Sequence, residues 1–190
     1  MLQLWPAGEP VVIDQSGLVL REWTDQDVPA MVALFDTPEM DRRTPLASPF
    51  DAAAAAAYVA AAHQVRRRLG ALQLAITEDG VVPKGEVLIF PAGSAGQVEL
   101  AYGVGAVYAG RGLARRAVMV ALRLAAASGT TSARLHIALD NPASQRVAEA
   151  TGFARQDDQP TVERHRKEQV LHLAVWQRTL HPALLPLVGM

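Results

Sequence analysis

Cysteine is absent from the 190-residue chain, which excludes disulfides, thiolate nucleophiles and zinc–thiolate sites and fits a reducing compartment. Neither sign of charge is in excess. The 18 Lys and Arg stand against 19 Asp and Glu for a formal net charge of −1, so nothing draws the chain generally to nucleic acid or anionic membrane. Long apolar runs are missing as well. The longest uncharged one, Ala52 to Ala62 in AAAAAAYVAAA, falls short of the roughly 20 residues that span a bilayer. The opening MLQLWPAGEPVVID has no basic segment, and Pro6, Glu9 and Pro10 interrupt its apolar residues, unlike a signal peptide. These absences predict a soluble, cytoplasmic protein. No His, Asp or Glu cluster has metal-ligand spacing, so no metal site is expected. Trp5, Trp23 and Trp176 are scattered, which favours packing over a stacking platform.

Half of the residues are hydrophobic, enough for a real core, and nothing in the composition divides the chain, so 1–190 reads as a single domain. LVLREW, from Leu18 to Trp23, alternates as a strand. Thr24 and Asp27 then mark a helix start that resembles a capping box, and the helix through VPAMVALF stops near Thr37 and Pro38. SPFD (Ser48 to Asp51) repeats the signal, with Pro49 at the first helical position, before an alanine-rich helix that closes on Arg66, Arg67 and Arg68 ahead of Gly70. Strands follow at ALQLAITED, GEVLIF and QVELAYGV, with turns at Gly80 and at Pro91 to Ser94. Between Gly112 and Ser128, Leu113, Ala117, Val120, Ala121 and Leu124 share one helical face. SARLHIAL reads as a buried strand, DNPASQRVAEATGF as a loop and short helix, and FARQ and VLHLAVWQR as strands around a charged turn, ERHRKE (Glu163 to Glu168). The order predicts an α+β fold with a mixed, mostly antiparallel sheet and about four helices.

The densest punctuation is GVGAVYAGRGLARRA from Gly103, four glycines at a strand-to-helix junction. Glycine in a strand or helix interior is about 0.5–1 kcal/mol less favourable than alanine, so the placement calls for a use. A dinucleotide fingerprint fails in both frames, because Tyr108 or Arg115 falls at its third glycine. A P-loop fits Gly105 and Gly110 but puts Arg111 and Gly112 where Lys and Ser or Thr must stand. A loop whose amides feed a diphosphate onto a helix N-terminus remains.

Ala109-Gly110-Arg111-Gly112-Leu113-Ala114 resembles the acyl-CoA-binding motif Arg/Gln-x-x-Gly-x-Gly/Ala of the GNAT superfamily of N-acetyltransferases. Ala109 stands where the family has Arg or Gln, which removes a side chain near the phosphates and leaves the backbone donors. ELAYGV is similar to the preceding strand in the ribosomal-protein N-terminal acetyltransferase branch. Asn141, Ser144, Gly152 and Phe153 fit the next motif, Asn-x-x-Ser ending in Gly-Phe. The resemblance covers roughly Leu18 to Arg178 and implies a GNAT fold with a splayed strand pair near Val104.

It also implies a function: transfer of acetyl from acetyl-CoA to a primary amine, by direct attack in a ternary complex, since a chain without cysteine forms no acyl-cysteine. The alternative is an acyl-CoA-binding sensor without turnover, and a nucleotide-binding protein is the third reading. Cofactor contacts fall to Val104, through its backbone, to Gly110, Arg111, Gly112, Leu113 and Ala114 at the phosphates, and to Asn141. Among Arg111, Arg115 and Arg116, Arg111 is the first choice for added charge. Gly103 and Gly105 are expected to let the strand end bulge from its neighbour, opening a slot for pantetheine. Glu99 is the candidate base and Ser144 the candidate donor to the leaving thiolate; the bland readings are an exposed strand carboxylate and an ordinary helix-start serine. His136 reads as a satisfied core histidine. The segments expected to line the acceptor pocket, Pro38 to Phe50 and Asp157 to Glu168, carry no legible motif, so the acceptor is open, and a homodimer is implied by resemblance only.

Overall fold

A computed structural model describes residues 8–93, 96–157, 161–166 and 169–181. Trp5, the Ser94 end of one expected turn and the tip of another at Lys167 and Glu168 lie outside them. The described strands form one sheet: β1 (Val12–Gln15), β2 (Leu18–Glu22), β3 (Leu72–Thr77), β4 (Gly85–Pro91), β5 (Gln97–Val104), β6 (Ser132–Ala138), β7 (Ala154–Arg155), β8 (Val162–Arg166) and β9 (Gln169–Thr179). The order is β1-β2-β3-β4-β5-β6-β9-β7, with β8 also on β9. Every pairing is antiparallel except β5 with β6, because the chain crosses over between those two through a helix. This is the expected α+β architecture.

The helices are α1 (Val28–Phe35), α2 (Pro38–Arg43), α3 (Ala52–Leu69), α4 (Leu113–Ala127) and α5 (Pro142–Ala150). The first helix stops before Thr37 and Pro38, as expected, but Thr37 also starts α2, which the sequence does not announce: its hydroxyl accepts from the Met40 amide and Pro38 takes the first helical position. The signal at Ser48 to Asp51 is shifted in the other direction. Pro49 precedes the helix, and Asp51 caps α3 by accepting from the Ala54 amide at 2.8 Å. The end of α3 is as expected, with Gly70 left-handed (φ +67°) behind three arginines. ERHRKE is mostly strand, since β8 takes in Glu163 to Arg166.

The two faces of the sheet bury different cores, as strand alternation requires. On one, α4 lays Leu113, Ala117, Val120, Ala121 and Leu124 against Leu18, Leu20, Val98, Leu100 and Trp176. Val118, Leu122 and Ala125 are buried too, so the apolar stripe of α4 is wider than one row. On the other face, α1 and α3 cover Trp23 and Ala75 with Met31, Leu34, Phe35 and Val59.

Candidate active site

The parallel pairing of β5 and β6 covers only Gln97 to Glu99 against Ser132 to Arg134. Beyond that point β5 stays paired with β4 as far as Val104, while β6 stays paired with β9 as far as Ala138. Each arm follows its own outer neighbour and a fork opens between them. Gly105 donates its amide to the Lys84 carbonyl on the β4 side, at 3.0 Å, so by alternation the polar backbone groups of Val104 point into the fork. The glycines of the strand end do not bulge it. A Cβ on Gly103 would come within 2.9 Å of Met40 Cε, and one on Gly105 within 2.3 Å of Leu34 Cδ2, so both are small because α2 and α1 press on the strand.

On the α4 side the fork continues into a cleft of about 400 Å³ lined by Tyr102, Gly103, Val104, Tyr108 to Gly110, Gly112 to Arg115, Ala143, Ser144, Arg146, Val147 and Ala150. Two arginines line it and no carboxylate does. Gly110 and Gly112 have φ of +77° and +72° with open space where a Cβ would stand, and Gly112 is the N-cap of α4. Bare amides, a helix N-terminus and the nearby guanidinium of Arg115 are what an anion site is built from. The opposite end is walled by apolar groups and by Tyr102, whose hydroxyl donates to the Ser144 carbonyl at 2.9 Å and ties β5 to α5 across the fork. Burial pushes the Tyr102 hydroxyl up to about 12, so it remains a donor at neutral pH.

Apart from Glu99, the expected residues fall into three places. Val104, Gly110, Gly112, Leu113, Ala114 and Ser144 line the cleft together. Asn141 supports it from below, its side chain accepting from the Ser144 amide at 3.1 Å to cap α5. Arg111 lies over the Tyr108 ring, 5.5 Å from its centroid, and Arg116 turns away to the Gly17 carbonyl and Glu78. Arg115, ranked behind Arg111 from the sequence, is the arginine of that trio in the lining.

A protein-family model described as an acetyltransferase (GNAT) domain matches residues 17–154, most of the chain. The chain belongs to the GNAT acetyltransferase family. Solved GNAT structures share its fold. RimJ from Mycobacterium smegmatis, in complex with CoA-disulfide, is 17% identical over 94% of this chain and 90% of its own, with a TM-score of 0.76. RimL, a ribosomal L7/L12 alpha-N-protein acetyltransferase in complex with coenzyme A, is 16% identical over 90% of this chain and 99% of its own, at 0.73. The microcin C7 self-immunity acetyltransferase MccE, in complex with acetyl-CoA and AMP, is 14% identical over 87% of this chain and 94% of its own, at 0.74. No curated protein sequence matches the chain.

In this acetyltransferase, Glu99 lies at the fork but on the sheet face away from the cleft, since Val98, Leu100, Tyr102 and Val104 face α4 and Glu99, Ala101 and Gly103 alternate with them. Its carboxylate meets His136 Nδ1 of β6 at 3.0 Å. The same face carries α2, which reaches both arms. Met40 rests on Gly103, and Arg42 and Arg43 pair with Asp140 just past β6, at 2.8 and 3.0 Å. Glu86, opposite Gly103 on β4, is buried and accepts from the Tyr58 hydroxyl at 2.8 Å. Burial pushes it up to about 7, and burial, with Glu86 beside it, lifts the Tyr58 hydroxyl far above its ordinary value. Sequence reasoning missed Tyr102, although the alternation of QVELAYGV put it on the Val104 face. Glu86 left no signal, because a strand carboxylate looks the same exposed or buried. Among the described residues no group of three or more His, Asp or Glu is arranged to hold a metal, and no helix is long and apolar enough to cross a membrane.

Proposed function

We propose that the protein transfers acetyl from acetyl-CoA to a primary amine, with both substrates bound at the fork. The observation that carries this is the cleft itself, which reaches from Tyr102 and Val104 to the N-terminus of α4 and is lined by two arginines and no carboxylate. A coenzyme with a long, slender, amide-bearing arm and a diphosphate fits that arrangement. The amides from Gly110 to Ala114 receive the diphosphate, with Arg115 and then Arg111 adding charge. The backbone of Val104 pairs with the pantetheine arm and polarises the thioester oxygen.

The acceptor comes from the other face. An α-amino group, at about 7.7–8.0, is partly neutral at pH 7, whereas a lysine-type amine near 10.4 is almost wholly protonated. Glu99 takes one proton from the ammonium. The freed nitrogen lone pair forms the C–N bond, the C–S bond breaks with its electrons on sulfur, and the second amine proton ends on that sulfur, with the Ser144 hydroxyl as donor in relay. General acid–base help of this kind contributes typically about 10²–10⁴-fold. Protein N-termini and small-molecule amines are both within this chemistry.

The absence of cysteine makes the test clean, because a thiol reagent reports only coenzyme released. Acetyl-CoA mixed with N-terminal peptides, polyamines and aminoglycosides is expected to release thiol with at least one class. Tight acetyl-CoA binding without release across the panel would favour the sensor. Stabilisation by ATP or NAD beyond that by CoA would favour a nucleotide-binding protein.

A further inference from the structure

We infer that His136 is a positioning residue for Glu99, holding its carboxylate at the fork for the incoming amine; this rests on the reading of Glu99 as proton acceptor. The two residues come from the two arms that separate. Glu99 is the last β5 residue in register with β6, and His136 lies two residues beyond its partner Arg134, where the arms have parted. The Nδ1 to Oε1 distance of 3.0 Å therefore spans the point of divergence. An ionised carboxylate only accepts, so Nδ1–H is the donor.

Exposure assigns the roles. The Glu99 side chain is 32% exposed and that of His136 10%, so the carboxylate meets solvent and substrate while the imidazole supports it from behind. Glu86, a second strand carboxyl on this face, is sealed beneath Tyr58 and Trp23, at 6% exposure, and does not reach an acceptor. Among the described residues, this face also carries Arg134, beside Glu99 in register, and, past the end of β6, Asp140, which pairs with Arg42 and Arg43 of α2, themselves paired with Glu39.

The test compares H136A, H136N and E99Q by kcat/KM against pH with a responsive amine, taking acetyl-CoA affinity as the check that each variant is folded. A hydrogen bond to a charged group is worth enough that H136A should lower kcat about 10–100-fold, with KM for acetyl-CoA unchanged. Because a donor favours the ionised carboxylate, H136A should also move the acid limb of the profile to higher pH. Asparagine presents an N–H close to where Nδ1–H stands, so H136N should recover most of the rate and return the limb toward its original position. E99Q should lose about 10²-fold or more. A normal H136A with an impaired E99Q overturns the positioning role and leaves Glu99 standing. Equal losses in H136A and H136N also overturn it, since the imidazole then acts in its own right. A normal E99Q removes the reading beneath it.

Discussion

Replacing Glu86 with glutamine should make the protein more stable at neutral pH, although it removes a hydrogen-bonded residue from the interior. The carboxyl sits between β4 and α3 and accepts from Tyr58. Trp23 Nε1 lies close enough to favour the ionised form but outside hydrogen-bond geometry. Burial dominates and raises the carboxyl from 4.5 to about 7. At about 1.36 kcal/mol per pH unit, that displacement corresponds to about 3 kcal/mol. The native state binds the proton more tightly than the unfolded chain. Stability from this residue is therefore fully present below about pH 4.5, is lost as pH rises toward about 7, and changes no further above it. Glutamine keeps an oxygen for the Tyr58 hydroxyl and carries no charge at any pH. Urea denaturation followed by tryptophan fluorescence at several pH values between 4 and 8 gives the difference between E86Q and the parent. That difference should be near zero at the acid end and reach about 3 kcal/mol in favour of E86Q by pH 8. A difference independent of pH would refute the reasoning, because it would mean the carboxyl titrates alike in the folded and unfolded chains.

Gly105→Ala should destabilise the fold by about 1–3 kcal/mol, read from the urea midpoint, since the new methyl would stand 2.3 Å from Leu34 Cδ2. Asn141→Ala removes the cap on α5 and should cost about 1 kcal/mol of stability while raising KM for acetyl-CoA, because Ser144 and Arg146 ride on that helix. Gly112→Val puts a branched residue at φ +72° beneath the diphosphate end. Calorimetric titration should show acetyl-CoA affinity falling by more than that of Arg111→Ala, whose side chain rests on Tyr108.

The strands and helices that carry the cleft were legible because their signals are local. Alternation in QVELAYGV and the single apolar face of α4 place Val104 and Leu113 without knowledge of the fold. The glycines were half legible. Gly110 and Gly112 have positive φ and open space above them, as an anion loop needs, but the reason for Gly103 and Gly105 lies in Met40 and Leu34, more than 60 residues earlier in the chain. No local pattern reports such a contact. The same holds for α2. Thr37 and Pro38 end one helix and start another with identical chemistry, and only the seat of Met40 on β5 and the ion pairs to Asp140 show what the short helix does. His136 reads from its strand as core, and its tie to Glu99 appears only once the crossover sets β6 beside β5.

A crystal structure of the protein with acetyl-CoA bound tests the central claim most directly. The diphosphate should lie within hydrogen-bonding distance of the amides between Gly110 and Ala114, with the pantetheine arm along Val104 and the thioester at the fork near Glu99. Coenzyme bound at another surface, or a cleft closed by the protein's own side chains, would contradict the account.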